Sequence, residues 1–128
     1  MFSPKAHIHL NVESTNRSAA FYAALLGGPA TRSSEGMAIF DVDSPPLVLT
    51  LEESPKPGRR RPSHFSLVVA EPEQVGRAAV ALRRAGARLR LADGGVHAND
   101  PDGNAWRVEI GPQEPGSSRA GLGVRQTG

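Results

Sequence analysis

The sequence predicts an α+β fold in which two βαβββ modules form a curved mixed sheet around a cavity. Two strand-like segments, residues 6–12 and 63–69, match with His7 over His64, and each runs directly into a segment of helical periodicity. The similarity continues into the strands that follow. Because the repeat is close to half of the ordered chain, it indicates one unit used twice rather than a solenoid.

The first module is expected at about residues 5–53. Its opening strand alternates between an apolar face and a polar face, as a half-buried strand does. The polar side chains are His7, His9 and Asn11. Ser14 or Thr15 is expected to cap the helix that follows, and Gly27-Gly28 to end it. Three further strands are predicted at 30–33, 37–42 and 47–52.

The second module is expected at about residues 63–110. Its helix begins near Pro72, and its later strands are predicted at 88–92, 95–99 and 104–110, with a tight turn at 100–103. The basic, proline-rich segment 54–62 has no interleaved aromatic residue, which favours a solvated linker over a nucleic-acid patch. One domain is therefore expected over 1–112.

Composition excludes several classes of function. The chain has no cysteine, so a disulfide framework, a thiolate metal site and a cysteine nucleophile are all excluded. It has neither a long apolar run nor a secretory signal pattern, and we expect no membrane partner and a cytoplasmic location. Residues 113–128 are rich in glycine, proline and serine without periodicity, which predicts a disordered tail. With a net charge of only +2, nucleic acid is not an expected partner.

All four histidines fall in predicted strands. If the two modules form one sheet, their opening strands lie side by side, and His7 and His64 point into one concavity where they can share a metal. His9 lies on the same strand face as His7 and can supply a third nitrogen. A single strand histidine more often lines a pocket than binds a metal, and His97 is interpreted in that way.

These residues resemble the vicinal oxygen chelate superfamily, which includes glyoxalase I, extradiol dioxygenases, fosfomycin resistance enzymes and bleomycin-binding proteins. The resemblance covers residues 6–110 and rests on the two histidine strands and on the stretch Asp100-Pro-Asp-Gly-Asn-Ala-Trp106. That stretch looks most like the branch of cadmium-induced proteins and organoarsenical carbon-arsenic lyases. Since the cysteine pair of the lyases is missing, their activity is not predicted here.

The resemblance implies a metal held by His7, by His64 and by a glutamate on the last strand. The position of that glutamate is occupied by Arg107, which stays protonated and cannot coordinate a cation. Glu109, on the same strand face, or His9 would have to complete the site. Candidate metal ligands are therefore His7, His64 and Glu109, and candidate catalytic groups are Glu109 and Arg107.

Three functions compete at this point. The first is a lyase, isomerase or dioxygenase that uses Fe, Mn, Ni or Zn to chelate a small oxygen-bearing, anionic substrate. The second is a metal-free drug-binding or small-molecule-binding protein in which Arg107 replaces the metal ligand. The third is a structural module without a ligand. Candidate substrate-binding residues are His9, Asn11, Arg107 and His97, and the resemblance also implies a homodimer.

Overall fold

A computed structural model describes residues 5–54, 63–111 and 123–127. The repeated βαβββ unit and the α+β class are confirmed. The elements are β1 Ala6–Val12, α1 Thr15–Leu26, β2 Arg32–Ser34, β3 Met37–Asp43, β4 Pro46–Glu53, β5 His64–Val69, α2 Pro72–Arg84, β6 Leu89–Ala92, β7 Gly95–Asn99, β8 Ala105–Ile110 and β9 Gly123–Thr127. The predicted linker lies largely outside the described residues, since 55–62 are not among them.

The two modules pair their strands in the same register. The opening strand of each module runs parallel to the last strand of that module, with His7 opposite Val48 in module one and His64 opposite Ala105 in module two. The repeat therefore makes β4 and β8 equivalent. In consequence Thr50 of module one corresponds to Arg107 of module two.

The strands form two hydrogen-bonded sheets rather than one continuous sheet. Their orders are β1-β4-β3-β2 and β6-β7-β8-β5-β9. The expectation that β1 and β5 lie side by side is therefore wrong for the single chain. The edge of β5 that β1 was expected to occupy is paired with β9 instead.

The prediction of a disordered tail is wrong for part of the segment 113–128. Residues 123–127 form β9, which pairs antiparallel with β5. An edge strand presents unpaired backbone groups, and main-chain hydrogen bonds to them need no apolar side-chain pattern. For this reason composition alone wrongly predicted disorder for these five residues. Residues 112–122 and 128 lie outside the described part of the chain.

Both helices begin where the sequence predicts and pack against each other. Ser14 accepts a hydrogen bond from the backbone of Arg17, and Gly27 ends α1 with a φ of 85°, a conformation that glycine adopts without strain. Helix α2 begins at Pro72 behind a capping box formed by Glu71 and Gln74. Among the described residues, no helix is long and apolar enough to cross a membrane.

A buried polar cluster joins the two modules at their common core. Tyr22 of α1 donates a hydrogen bond to Asp100, and its hydroxyl accepts one from Trp106 Nε1 at 2.9 Å. Asp100 also accepts from the backbone of Asp102 and Asn104, which orders the turn before β8. Burial, together with the neighbouring carboxylate of Asp100, raises the pKa of the Tyr22 phenol, which therefore remains a hydrogen-bond donor.

Candidate functional site

The sheet of module two has a concave face that carries polar side chains. Side chains alternate along each strand, so those of Trp106 and Val108 enter the core whereas those of Arg107 and Glu109 point to the other side. The resulting concavity has a volume of about 890 Å³. We call it the module-two face, and its polar lining includes His64, Ser66, Arg88, Arg90, His97, Arg107 and Glu109.

Arg107 lies near the middle of this face and forms an ion pair with Glu109. The distance from Arg107 Nε to Glu109 Oε2 is 2.9 Å, and the side chains are 34% and 15% exposed. Arg107 Nε is nevertheless a buried donor without a well-aligned hydrogen-bond partner among the described residues. The contact is therefore chiefly electrostatic. The pairing with Glu109 does not use all of the N–H donors of the guanidinium.

His97 is the neighbour of Arg107 on the adjacent strand. The two residues are paired in register, and Arg90 is the partner of His97 on its other side. Burial, followed by the positive charges of Arg107 and Arg90, lowers the pKa of His97, so its imidazole is neutral at pH 7. Its Nε2 atom is buried and has no hydrogen-bond partner among the described residues.

The corresponding face of module one carries the other candidate residues. His7, His9 and Asn11 are exposed on β1, and His9 Nε2 lies 3.1 Å from Glu52 Oε1. We call the exposed side of β1 and its neighbours the module-one face. It belongs to a different sheet from His64, Arg107 and Glu109, so one chain divides the candidate residues between two faces.

The structure brings some of the predicted residues together and separates others. Arg107, Glu109, His97 and His64 share the module-two face. The candidate metal set of His7, His64 and Glu109 is not assembled in one chain, and the described residues contain no group of three or more His, Asp or Glu side chains placed to hold a metal. These metal ligands therefore remain a prediction.

Sequence reasoning missed two features of the module-two face. The first is Arg90, which lies in register beside His97. The second is Gly95, where an added Cβ would lie 3.4 Å from Arg107 Nε, so the absence of a side chain leaves room for the guanidinium. Strand alternation could have indicated Arg90, whereas the role of Gly95 depends on a rotamer that periodicity does not specify.

Comparison with known families identifies the class of protein. Residues 6–108 match the model of the glyoxalase/bleomycin resistance protein/dioxygenase superfamily. The match covers most of the chain, and the resemblance drawn from the histidine strands is confirmed. The chain belongs to this superfamily.

Individual relatives agree with this assignment. A trivalent organoarsenical cleaving enzyme from Bacillus sp. (strain MD1) is 28% identical over 120 residues, which cover 79% of this chain and 69% of that protein. A glyoxalase/bleomycin resistance protein from Albidiferax ferrireducens T118 has a TM-score of 0.62 at 22% identity, covering 84% of this chain and 98% of that chain.

A second similar structure contains a metal. The fosfomycin resistance protein FosX from Listeria monocytogenes, in complex with Mn(II) and sulfate, has a TM-score of 0.64 at 20% identity, covering 89% of this chain and 94% of that chain. At these identities the structural likeness establishes the fold alone. The Mn(II) is a property of that protein.

Proposed function

We propose that this protein binds a small anionic molecule on the module-two face, with Arg107 as the principal anion-binding group and without a metal ion. The observation that carries the proposal is the ion pair between Arg107 and Glu109 in the concavity. A guanidinium whose donors are incompletely used matches carboxylate, sulfate or phosphate oxygens, which can accept two hydrogen bonds from it.

The surroundings of Arg107 favour an anion over a cation. Arg88 and Arg90 line the same concavity, and among the described residues that line it Glu109 is the only carboxylate. Positive charges that share one concave surface reinforce each other and attract anions. The superfamily's use of small-molecule ligands is consistent with such a pocket.

The residues of this face do not fit the metal that the superfamily suggests. Arg107 places a permanent positive charge where the resemblance implies a carboxylate ligand, and a cation there would be repelled. Glu109, the remaining oxygen ligand on the strand, is already paired with Arg107 at 2.9 Å. For these reasons we derive no chemical step through a metal on this face.

Anion binding can be tested directly by calorimetric titration with pentanoate and with sulfate at constant ionic strength. We expect saturable binding in the range of about 1 mM, reduced by roughly tenfold or more in Arg107→Gln because a charge-assisted, two-point contact is lost. Arg84→Gln is the matched control, since Arg84 is an exposed residue of α2 outside this face. The proposal fails if the wild-type protein binds neither anion, or if both variants bind equally well.

A metal-dependent enzyme is the second candidate, and the equivalence of His7 and His64 favours it. Both histidines open a module, both are exposed, and each stands at the same register position of its sheet. Superfamily members often act as dimers. In a homodimer, the module-one face of one copy could pack against the module-two face of the other. His7 of one copy would then lie near His64 of the other.

Measuring the bound metal tests whether the protein is a metal-dependent enzyme. Protein purified without a histidine tag would be incubated with Fe, Mn, Ni or Zn, dialysed and analysed for bound metal beside His64→Ala. The anion-binding proposal predicts far less than one metal per chain in both proteins. About one metal per wild-type chain that disappears in the variant would overturn the metal-free proposal and establish a site despite Arg107.

A further inference from the structure

A row of cationic and polar side chains crosses three neighbouring strands of the module-two face. Arg90 of β6 pairs with His97 of β7, and His97 pairs with Arg107 of β8. Neighbouring strands lie about 4.8 Å apart, so the backbone positions of the two arginines are separated by about 10 Å. Both side chains are long enough to reach a ligand placed above His97.

The charges of both arginines act on His97, which lies between them in the row. The positive charges of Arg107 and Arg90 both lower the pKa of His97, whereas Asp93 and Glu109 act in the opposite direction. Its buried Nε2 atom, without a partner among the described residues, lies between the two arginines in the row. A buried polar atom without a hydrogen bond destabilises the fold unless a ligand or a water molecule forms a hydrogen bond with it.

The charge balance of the face indicates how many negative charges a ligand would bring. Among the described residues, three arginines and one carboxylate line the concavity, which is an excess of two positive charges over negative ones from these side chains. A ligand with one carboxylate would leave a positive charge uncompensated. A ligand with two would balance this excess, and a concave surface lined by charges of one sign attracts ligands of the opposite charge.

We propose that the ligand of the module-two face carries two anionic groups, one bound by Arg107 and the other by Arg90, with the imidazole Nε2 of His97 between them. This inference rests on the proposed function, because it presupposes that Arg107 binds an anion. It adds the chemical class of the ligand, a compact dianion such as a short dicarboxylate. It also makes Arg90 the residue that distinguishes dianions from monoanions.

The test compares glutarate with pentanoate, which have the same five-carbon chain and differ by one carboxylate. Calorimetric titrations would be made at pH 7 and constant ionic strength, with wild-type protein, Arg90→Gln, Arg107→Gln and the control Arg84→Gln. We expect glutarate to bind wild-type protein about tenfold more tightly than pentanoate, as an additional charge-assisted contact would produce. Arg84→Gln should keep this preference.

Arg90→Gln should reduce the preference for glutarate to within about twofold and weaken pentanoate only slightly, through the loss of one positive charge from the face, whereas Arg107→Gln should weaken both ligands strongly. If pentanoate binds and glutarate has no advantage, the dianion inference is wrong and the proposed function stands. A preference that persists in Arg90→Gln would identify Arg90 as a solvated edge-strand charge and overturn its assigned role. If neither ligand binds wild-type protein, the proposed function and this inference both fail.

Discussion

The guanidinium of Arg107 lies beside Gly95, the first residue of the neighbouring strand β7. A Cβ at Gly95 would lie 3.4 Å from Arg107 Nε and 3.0 Å from the carbonyl oxygen of Val108. The second contact is tighter than nine in ten real Cβ contacts, and it involves backbone of the neighbouring strand. A side chain at position 95 would therefore crowd the backbone of β8 and lie directly against the Arg107 guanidinium.

Gly95→Ala should consequently weaken anion binding without removing any charge. The added methyl group requires the β8 backbone to shift by a few tenths of an ångström, and the Arg107 side chain with it. We expect a several-fold loss of affinity for glutarate together with a loss of about 1–3 kcal/mol in the free energy of unfolding. Calorimetric titration and chemical denaturation measure the two effects separately.

Gly76→Ala is the matched control for this substitution. Gly76 lies within α2, and a Cβ at that position would meet nothing within 4 Å. Alanine is favoured over glycine in a helix interior by about 1 kcal/mol, so this variant should be slightly more stable and should bind glutarate normally. Unchanged glutarate affinity in Gly95→Ala would show that Gly95 does not position Arg107.

The sequence predicted part of the site at this scale. Strand alternation placed Arg107 and Glu109 on one face, and both line the concavity. Alternation does not specify rotamers, so it could not show that Arg107 turns toward Glu109 and Gly95. It also could not show that His97 Nε2 lacks a partner, because that depends on packing across strands distant in sequence.

Periodicity and helix-end signals in the sequence were sufficient to predict the helices and strands of both modules. The helix caps at Ser14 and Glu71 and the proline at position 72 fix where α1 and α2 begin. The arrangement of strands was less predictable. Backbone hydrogen bonds are alike at every free strand edge, and nothing in the pattern of β5 distinguishes β1 from β9 as its neighbour.

Because the sequence does not specify which strands are neighbours, it also could not show that the two predicted metal-binding histidines lie in different sheets. Repeat symmetry makes His7 and His64 equivalent in register, but it does not require the two modules of one chain to meet along these strands. In the structure, the modules meet through their helices and a shared core. Equivalence within a repeat therefore predicts similar environments and does not by itself predict proximity.

At the scale of the whole molecule, Tyr22 connects the modules through a buried hydrogen-bond chain. Its hydroxyl donates to Asp100 and accepts from Trp106 Nε1, and Trp106 in turn stacks on Phe65 with ring centroids 4.6 Å apart. Tyr22 and Trp106 are 0% and 1% exposed. This hydrogen-bond chain thus ties α1 of module one to β8 of module two, the strand that also carries Arg107.

Tyr22→Phe removes only the hydroxyl and should therefore isolate the contribution of this chain. Trp106 Nε1 would lose its acceptor, Asp100 would lose one donor, and no other described side chain is hydrogen-bonded to Trp106 Nε1. Because buried groups left unsatisfied are costly, we expect the free energy of unfolding to fall by about 2–3 kcal/mol in chemical denaturation. Ser18→Ala, which removes a longer contact of 3.3 Å to Asp102, should cost less than about 1 kcal/mol. Equal small losses in both variants would mean that packing of the rings, and not the hydrogen-bond chain, holds the modules together.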